Sequence, residues 1–137
     1  MSATDNVQVR TLFPTLFLEP TVPDAEKINQ ELKSAILHKK SADPGIQRSN
    51  FNGWHSKDDL LQWGGEAMKS LAVATIEMCN KFTFDAGMQD NKPRFAWTMQ
   101  AWANVSQPGA SNQYHAHPGA FWSAVYYVDD GGSRDSG

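Results

Sequence analysis

One cysteine, four histidines and no long basic or apolar run set bounds on this chain before any motif is read. A lone Cys79 excludes an intramolecular disulfide and suits a reducing cytoplasm. Twelve Lys and Arg against fifteen Asp and Glu give a formal net charge of -3. Phosphate affinity needs clustered cations, and only "HKK" at 38–40 is locally basic, so nucleic acid is not an expected partner. No apolar run approaches the roughly 18 residues of a membrane span, and no signal peptide opens the chain. The expectation is a soluble cytoplasmic protein with no membrane partner. What is plentiful is apolar: 40% hydrophobic residues and five tryptophans, enough for the core of one domain.

The chain divides into a helical first part and a strand-like second part. Residues 7–20, "VQVRTLFPTLFLEP", alternate loosely and predict a short strand or extended arm, interrupted at Pro14. Asp24 then caps a helix to about Lys39: Ile28, Leu32, Ala35 and Ile36 recur at helical spacing, and His38, Lys39 and Lys40 suit its C-terminal end. Residues 41–56 are rich in Gly, Pro, Asn and Ser and predict a loop. Ser56 and Asp59 fit a capping box for a second helix, broken or reseated at Gly64-Gly65. Met68, Leu71, Ala72, Thr75, Ile76, Cys79 and Phe82 form its apolar stripe, a core face in which Cys79 is an ordinary buried thiol. "DAGMQDNKP" is a turn-rich connection, and there are no internal repeats or low-complexity segments.

After Pro93 the period changes to two. In "RFAWTMQAWANV", residues 94–105, Phe95, Trp97, Met99, Ala101, Ala103 and Val105 share one face; Ala96, Thr98, Gln100, Trp102 and Asn104 share the other. "SQPGASN" is a loop, and "FWSAVYYV", residues 121–128, is the next strand. The expected class is α+β, with helices backing a sheet.

Between these strands lies "NQYHAHPG". Residues i and i+2 of extended backbone point to one side, so His115 and His117 can converge on one ion, and imidazole suits Zn, Cu, Fe and Ni. The plainer reading is a polar loop with two histidines that hydrogen-bond locally. Phe121, Ser123, Val125 and Tyr127 share the odd parity of the histidines, which puts Tyr127 on the same side of an unbulged strand.

The run "aWaNV…G..NqYHaHPg…SaVYYV", with "TLFPTLF" and "GWHSKDDL" upstream, resembles the non-haem Fe(II)/2-oxoglutarate-dependent oxygenases, in particular a bacterial, prolyl-hydroxylase-like branch. The resemblance runs along nearly the whole chain. It implies a mainly β fold within the α+β class: N-terminal helices buttressing a double-stranded β-helix, or jelly roll. One domain, residues 1–137, would then comprise an arm and supporting helices (1–92) and the first barrel strands (93–137). It implies Fe(II) as cofactor and 2-oxoglutarate as co-substrate. His115 matches the first iron ligand. His117 matches the carboxylate position, a departure, because the usual facial triad is two histidines and one carboxylate. Tyr127 matches a residue that hydrogen-bonds the 2-oxoglutarate tail carboxylate, and Asn104 lies near another co-substrate contact.

A second departure is the distal part of the pattern. The family's third ligand, a histidine, and its 2-oxoglutarate-anchoring cation lie several strands after the first pair; ten residues follow Tyr127 here, without a histidine. A jelly roll needs about eight strands, so the expectation is a chain cut before the distal ligand. Upstream, His55 reads as a surface or helix-start residue and His38 as a partner of the helix dipole. Arg134 reads as a solvated cation, and Trp97, Trp102 and Trp122 as core or barrel lining. Two function classes remain: an oxygenase (hydroxylase) or its ligand-bearing portion, and a non-catalytic jelly-roll or cupin-like module binding a metal or small ligand. The substrate, small molecule or peptide, is not legible, and a homodimer is left open.

Overall fold

The first helix, α1 (Ala25–Ala42), forms where apolar residues recur at helical spacing: Leu32 and Ile36 are buried, and Ile28 packs beside them. A computed structural model describes residues 15–83 and 95–132 of the chain. Asp24 stands at the N-cap position, but in left-handed backbone (φ 53°) and without a side-chain cap bond; its carbonyl accepts from Ile28 N–H at 3.1 Å. The helix runs past Lys39 and ends at Asp43, whose extended backbone stops it. Of the expected arm, residues 7–14 lie outside the described residues, and residues 15–20 have no regular structure.

The stretch expected as a loop contains β1 (Asn50–His55). Its approach is organised by polar side chains, which explains its loop-like composition. Buried Asn50 accepts from Arg48 N–H at 2.7 Å and donates to the Gly53 carbonyl at 2.7 Å, and Gln47 donates to the Asn50 carbonyl. Trp54 drops into the core and donates its indole N–H to the Asp43 carbonyl at 2.9 Å.

Ser56 is not a helix cap. It is fully buried, and its Oγ accepts from Ala103 N–H (3.0 Å) and donates to the Lys57 carbonyl (2.7 Å). The helix boundary falls at Asp59, whose carboxylate accepts from Trp63 Nε1 one turn on. Then α2 (Leu60–Trp63) ends at Gly64, and α3 (Gly65–Phe82) begins at once. The glycine pair does reseat the helix: Gly65 takes φ 68°, and a Cβ at Gly64 would lie 2.6 Å from Met68 Cβ. Along α3 the apolar stripe is buried at Met68, Leu71 and Cys79, and burial raises the Cys79 thiol pKa above its usual value. The turn-rich connection, residues 85–93, lies outside the described residues.

The final strand, β2 (Asn104–Asn112), pairs antiparallel with β1, with His55 opposite Asn104, Trp54 opposite Val105 and Asn50 opposite Asn112. This corrects the loop expected over residues 106–112. Two steps of β1, from Phe51 to Gly53, oppose five of β2, from Ser111 to Ser106. The excess includes Pro108, which has no N–H for a ladder, and Gly109 at φ 79°; Asn52 opposite turns left-handed at φ 58°. Loop-type residues here make a bulge inside a strand rather than its end.

The strands expected over 94–105 and 121–128 are also corrected. Ladder pairing on the first begins only at Asn104, because the described sheet has two strands and β1 stops opposite there. Before that, Ser56 N–H donates to Ala103 O (2.9 Å) and Leu60 N–H to Ala101 O (3.1 Å). The alternation survives regardless: Trp97, Met99 and Ala101 are half-buried and Ala103 buried, while Ala96, Thr98 and Gln100 are exposed. In 121–128, Trp122, Tyr126 and Val128 turn inward. Trp122 Nε1 donates to Thr83, Tyr126 OH to Asn29 Oδ1 (2.7 Å), and Lys33 Nζ meets Asp129 at 2.6 Å, so this segment is docked on the helices. One core joins α1, β1, α2, α3 and Ala103, an α+β arrangement. No described helix is long and apolar enough to cross a membrane.

Candidate functional site

Beyond β2 the chain makes one more sheet-like bond, Gln113 N–H to Ser49 O at 2.7 Å, and then leaves the ribbon through His115 and His117. The two imidazoles lie together, with ring centroids 4.8 Å apart and planes at 77°. Both are exposed. Local backbone explains the turn that follows: Ala120 N–H donates to the His117 carbonyl, and Gly119 takes φ 82°.

His115 Nδ1 lies 2.7 Å from the Gln113 carbonyl oxygen. A carbonyl can only accept, so Nδ1 carries the hydrogen of this bond and Nε2 is the nitrogen left for a metal. This is the arrangement in which a metal-binding imidazole is oriented by a hydrogen bond on its other nitrogen. His117 is held differently. Its ring lies 5.8 Å from that of Trp102 at 33°, and Trp102 in turn stacks on His55 at 5.7 Å and 12°.

His55 was expected at the surface near a helix start. It is instead 5% exposed at the end of β1, with Nδ1 donating to the Ser56 carbonyl. The correction has a tertiary cause: pairing with Asn104 brings the strand and Trp102 over its ring. Sequence reasoning placed Trp102 only generically, as core or lining. Its even parity, opposite to the inward-turning odd face of residues 97–105, is the one signal that could have singled it out.

Asn104 opens β2, exposed and in register with His55. Tyr127 is 76% exposed, whereas its neighbour Tyr126 faces the helices, so the two tyrosines take opposite sides of the segment. Burial lifts the Tyr126 hydroxyl pKa above its usual value. Phe121 and Val125, of Tyr127's parity, are exposed with it. A surface cavity of about 650 Å³ lies against α1 and Trp63 and is lined by none of His115, His117, Asn104 or Tyr127. Arg134 lies outside the described residues.

Two imidazoles 4.8 Å apart, from residues i and i+2, are of a type that suits a borderline ion such as Fe(II). They do not complete a facial triad. Among the described residues no group of three His, Cys, Asp or Glu could hold a metal, so neither His55 nor a carboxylate joins the pair. The fit is therefore partial.

Residues 100–136 match the model of a family described as "Putative 2OG-Fe(II) oxygenase". That stretch contains Trp102, Asn104, His115, His117 and Tyr127. No curated protein and no solved structure matches the chain. The family match supports the oxygenase superfamily for this part of the chain, and through it Fe(II) and 2-oxoglutarate.

Proposed function

We propose that this chain is an Fe(II)/2-oxoglutarate-dependent oxygenase, or the ligand-bearing portion of one, in which His115 and His117 bind the iron. The observation that carries the reading is their adjacency, centroids 4.8 Å apart, inside the residues that match the family. The prolyl-hydroxylase-like branch and the jelly roll belong to the same reading. On it, the β1–β2 ribbon and the alternating segments 95–103 and 121–128 are barrel strands, and a cytoplasmic location suits the free thiol of Cys79.

When bound, iron with 2-oxoglutarate and O2 supplies oxidative decarboxylation coupled to oxidation of a C–H bond. This chain's residues would hold and orient. His115 Nε2 is the first donor, its tautomer set by the Gln113 carbonyl. His117 is the second, a neutral donor where the family has a carboxylate, which leaves the site one unit more positive. Tyr127 and Asn104 would hydrogen-bond the 2-oxoglutarate carboxylates. A third donor would come from outside the described residues or from a second chain.

The test is Fe(II) binding under anaerobic conditions, then succinate formation from 2-oxoglutarate with ascorbate, for the native chain and His115→Ala. Fe(II) binding that His115→Ala loses, with succinate formed once a third donor is supplied, is the expected result. Fe(II) affinity unchanged in His115→Ala overturns the reading. A second reading, a non-catalytic cupin-like module, is favoured by the two-donor count among the described residues. His115-dependent metal binding without succinate under any of these conditions selects it.

A further inference from the structure

We propose that Trp102 is the positioning residue of the histidine pair, an aromatic wall beside the His117 imidazole that is itself stacked on buried His55. The proposal rests on reading His115 and His117 as a metal-binding pair. An exposed histidine outside regular structure samples several rotamers, and a metal-binding one needs a partner that selects among them. For His115 that partner is the Gln113 carbonyl. For His117 it is an aromatic ring: the indole of Trp102, with centroids 5.8 Å apart and planes at 33°, while the His115 ring lies 4.8 Å away.

The indole is itself anchored. Trp102 is half-buried and nearly parallel to the His55 ring, which is 5% exposed. His55 hangs from the carbonyl of Ser56, a residue with no exposed surface that also binds the backbone of Ala103, next to Trp102. A continuous stack thus runs from the most buried polar group described to the solvent-exposed pair. Offset and tilted ring contacts at 4.5–7 Å are favourable and directional, so they select a ring orientation as well as a position. Removing such outer partners of a metal-binding histidine typically weakens binding 10–100-fold.

The test uses the full chain with Trp102→Leu, Trp102→Phe and His115→Ala, and Co(II) as the probe. Without metal, the His117 ring protons of the native chain should be shifted upfield in NMR by the indole ring current. Trp102→Leu should lose that shift and Trp102→Phe keep much of it. Co(II) affinity should fall about 10-fold in Trp102→Leu, the low end for such partners, and recover in Trp102→Phe. His117 ring protons at random-coil positions in the native chain would overturn the proposal. So would native Co(II) affinity in Trp102→Leu alongside lost affinity in His115→Ala. Unchanged affinity in His115→Ala would instead remove the metal pair itself, and the ring-current shift tells these two failures apart. Should Trp102→Leu unfold, the native chain and Trp102→Phe still decide the question.

Discussion

Replacing Ser56 by alanine removes one oxygen and adds nothing, so its cost isolates a single buried polar junction. Ser56 has no exposed surface, and its Oγ accepts from Ala103 N–H at 3.0 Å and donates to the Lys57 carbonyl at 2.7 Å. In Ser56→Ala, the Ala103 N–H, on a residue 5% exposed, loses its partner inside the core. An unmet buried donor costs about 1–3 kcal/mol. The Lys57 carbonyl, on an exposed residue, can turn to water and adds less. The bond from Ser56 N–H to the Ala103 carbonyl, 2.9 Å, remains. The sum is about 2–3 kcal/mol. Ser41 is the control: its Oγ also makes a 2.7 Å bond, to the His38 carbonyl, but in solvent. Surface changes of that kind fall within about 0.5 kcal/mol. Urea unfolding followed by tryptophan fluorescence should separate the two variants at unchanged slope. Equal midpoints would refute the reasoning, because the difference between them rests only on burial.

Two further perturbations test the frame around the site. Gly45→Ala should destabilise by more than about 2 kcal/mol: the left-handed backbone alone costs about 1–2 kcal/mol, and the added Cβ would lie 2.5 Å from the His55 carbonyl and 2.7 Å from Trp54 Nε1. Gly65→Ala, at φ 68° with nothing within 4 Å, bears only the backbone cost, and equal losses in the same urea assay would sink the clash argument. Asp129 has its carboxyl held below the ordinary value of 3.8, first by the Lys33 ammonium and then by the Gly131 N–H. A lowered folded pKa stabilises above the unfolded pKa, and that contribution is lost as pH falls through the folded one. Thermal unfolding of Asp129→Asn should therefore show a smaller drop below about pH 4 than the native chain, and an identical acid profile would contradict it.

The helices were legible because their causes are local. Leu32 and Ile36 on α1, and Met68, Leu71 and Cys79 on α3, are buried at the helical spacing read from the sequence. The strands were legible only as faces. Odd residues from 97 to 105 do turn inward, because alternation is a property of extended backbone, but a ladder needs a neighbour, and which segment supplies it is a tertiary fact. So β1 hid within Gly, Asn and Ser residues that looked like loop, and the loop-like "QPG" of β2 became a bulge within a pair. Ser56 misled for the same reason: serine three residues before aspartate fits a cap, yet its oxygen serves Ala103, 47 residues away.

At the site, the same division decides what could be read. His115 and His117 are two residues apart, so their proximity is a local matter, and the rings do lie together. The contact between His55 and Trp102 spans 47 positions and depends on one register, His55 opposite Asn104. Once that register is granted, much follows. Odd residues of 97–105 turn inward, so Trp102 is left on the other side, two residues before the partner of His55, where its ring can reach both His55 and His117. A shift of the ribbon by one residue would reverse those faces and send Trp102 toward the helices. The orientation of an exposed imidazole is thus tied to the pairing of two strands, and the buried Ser56–Ala103 junction sits where that pairing hands over to the segment carrying the indole.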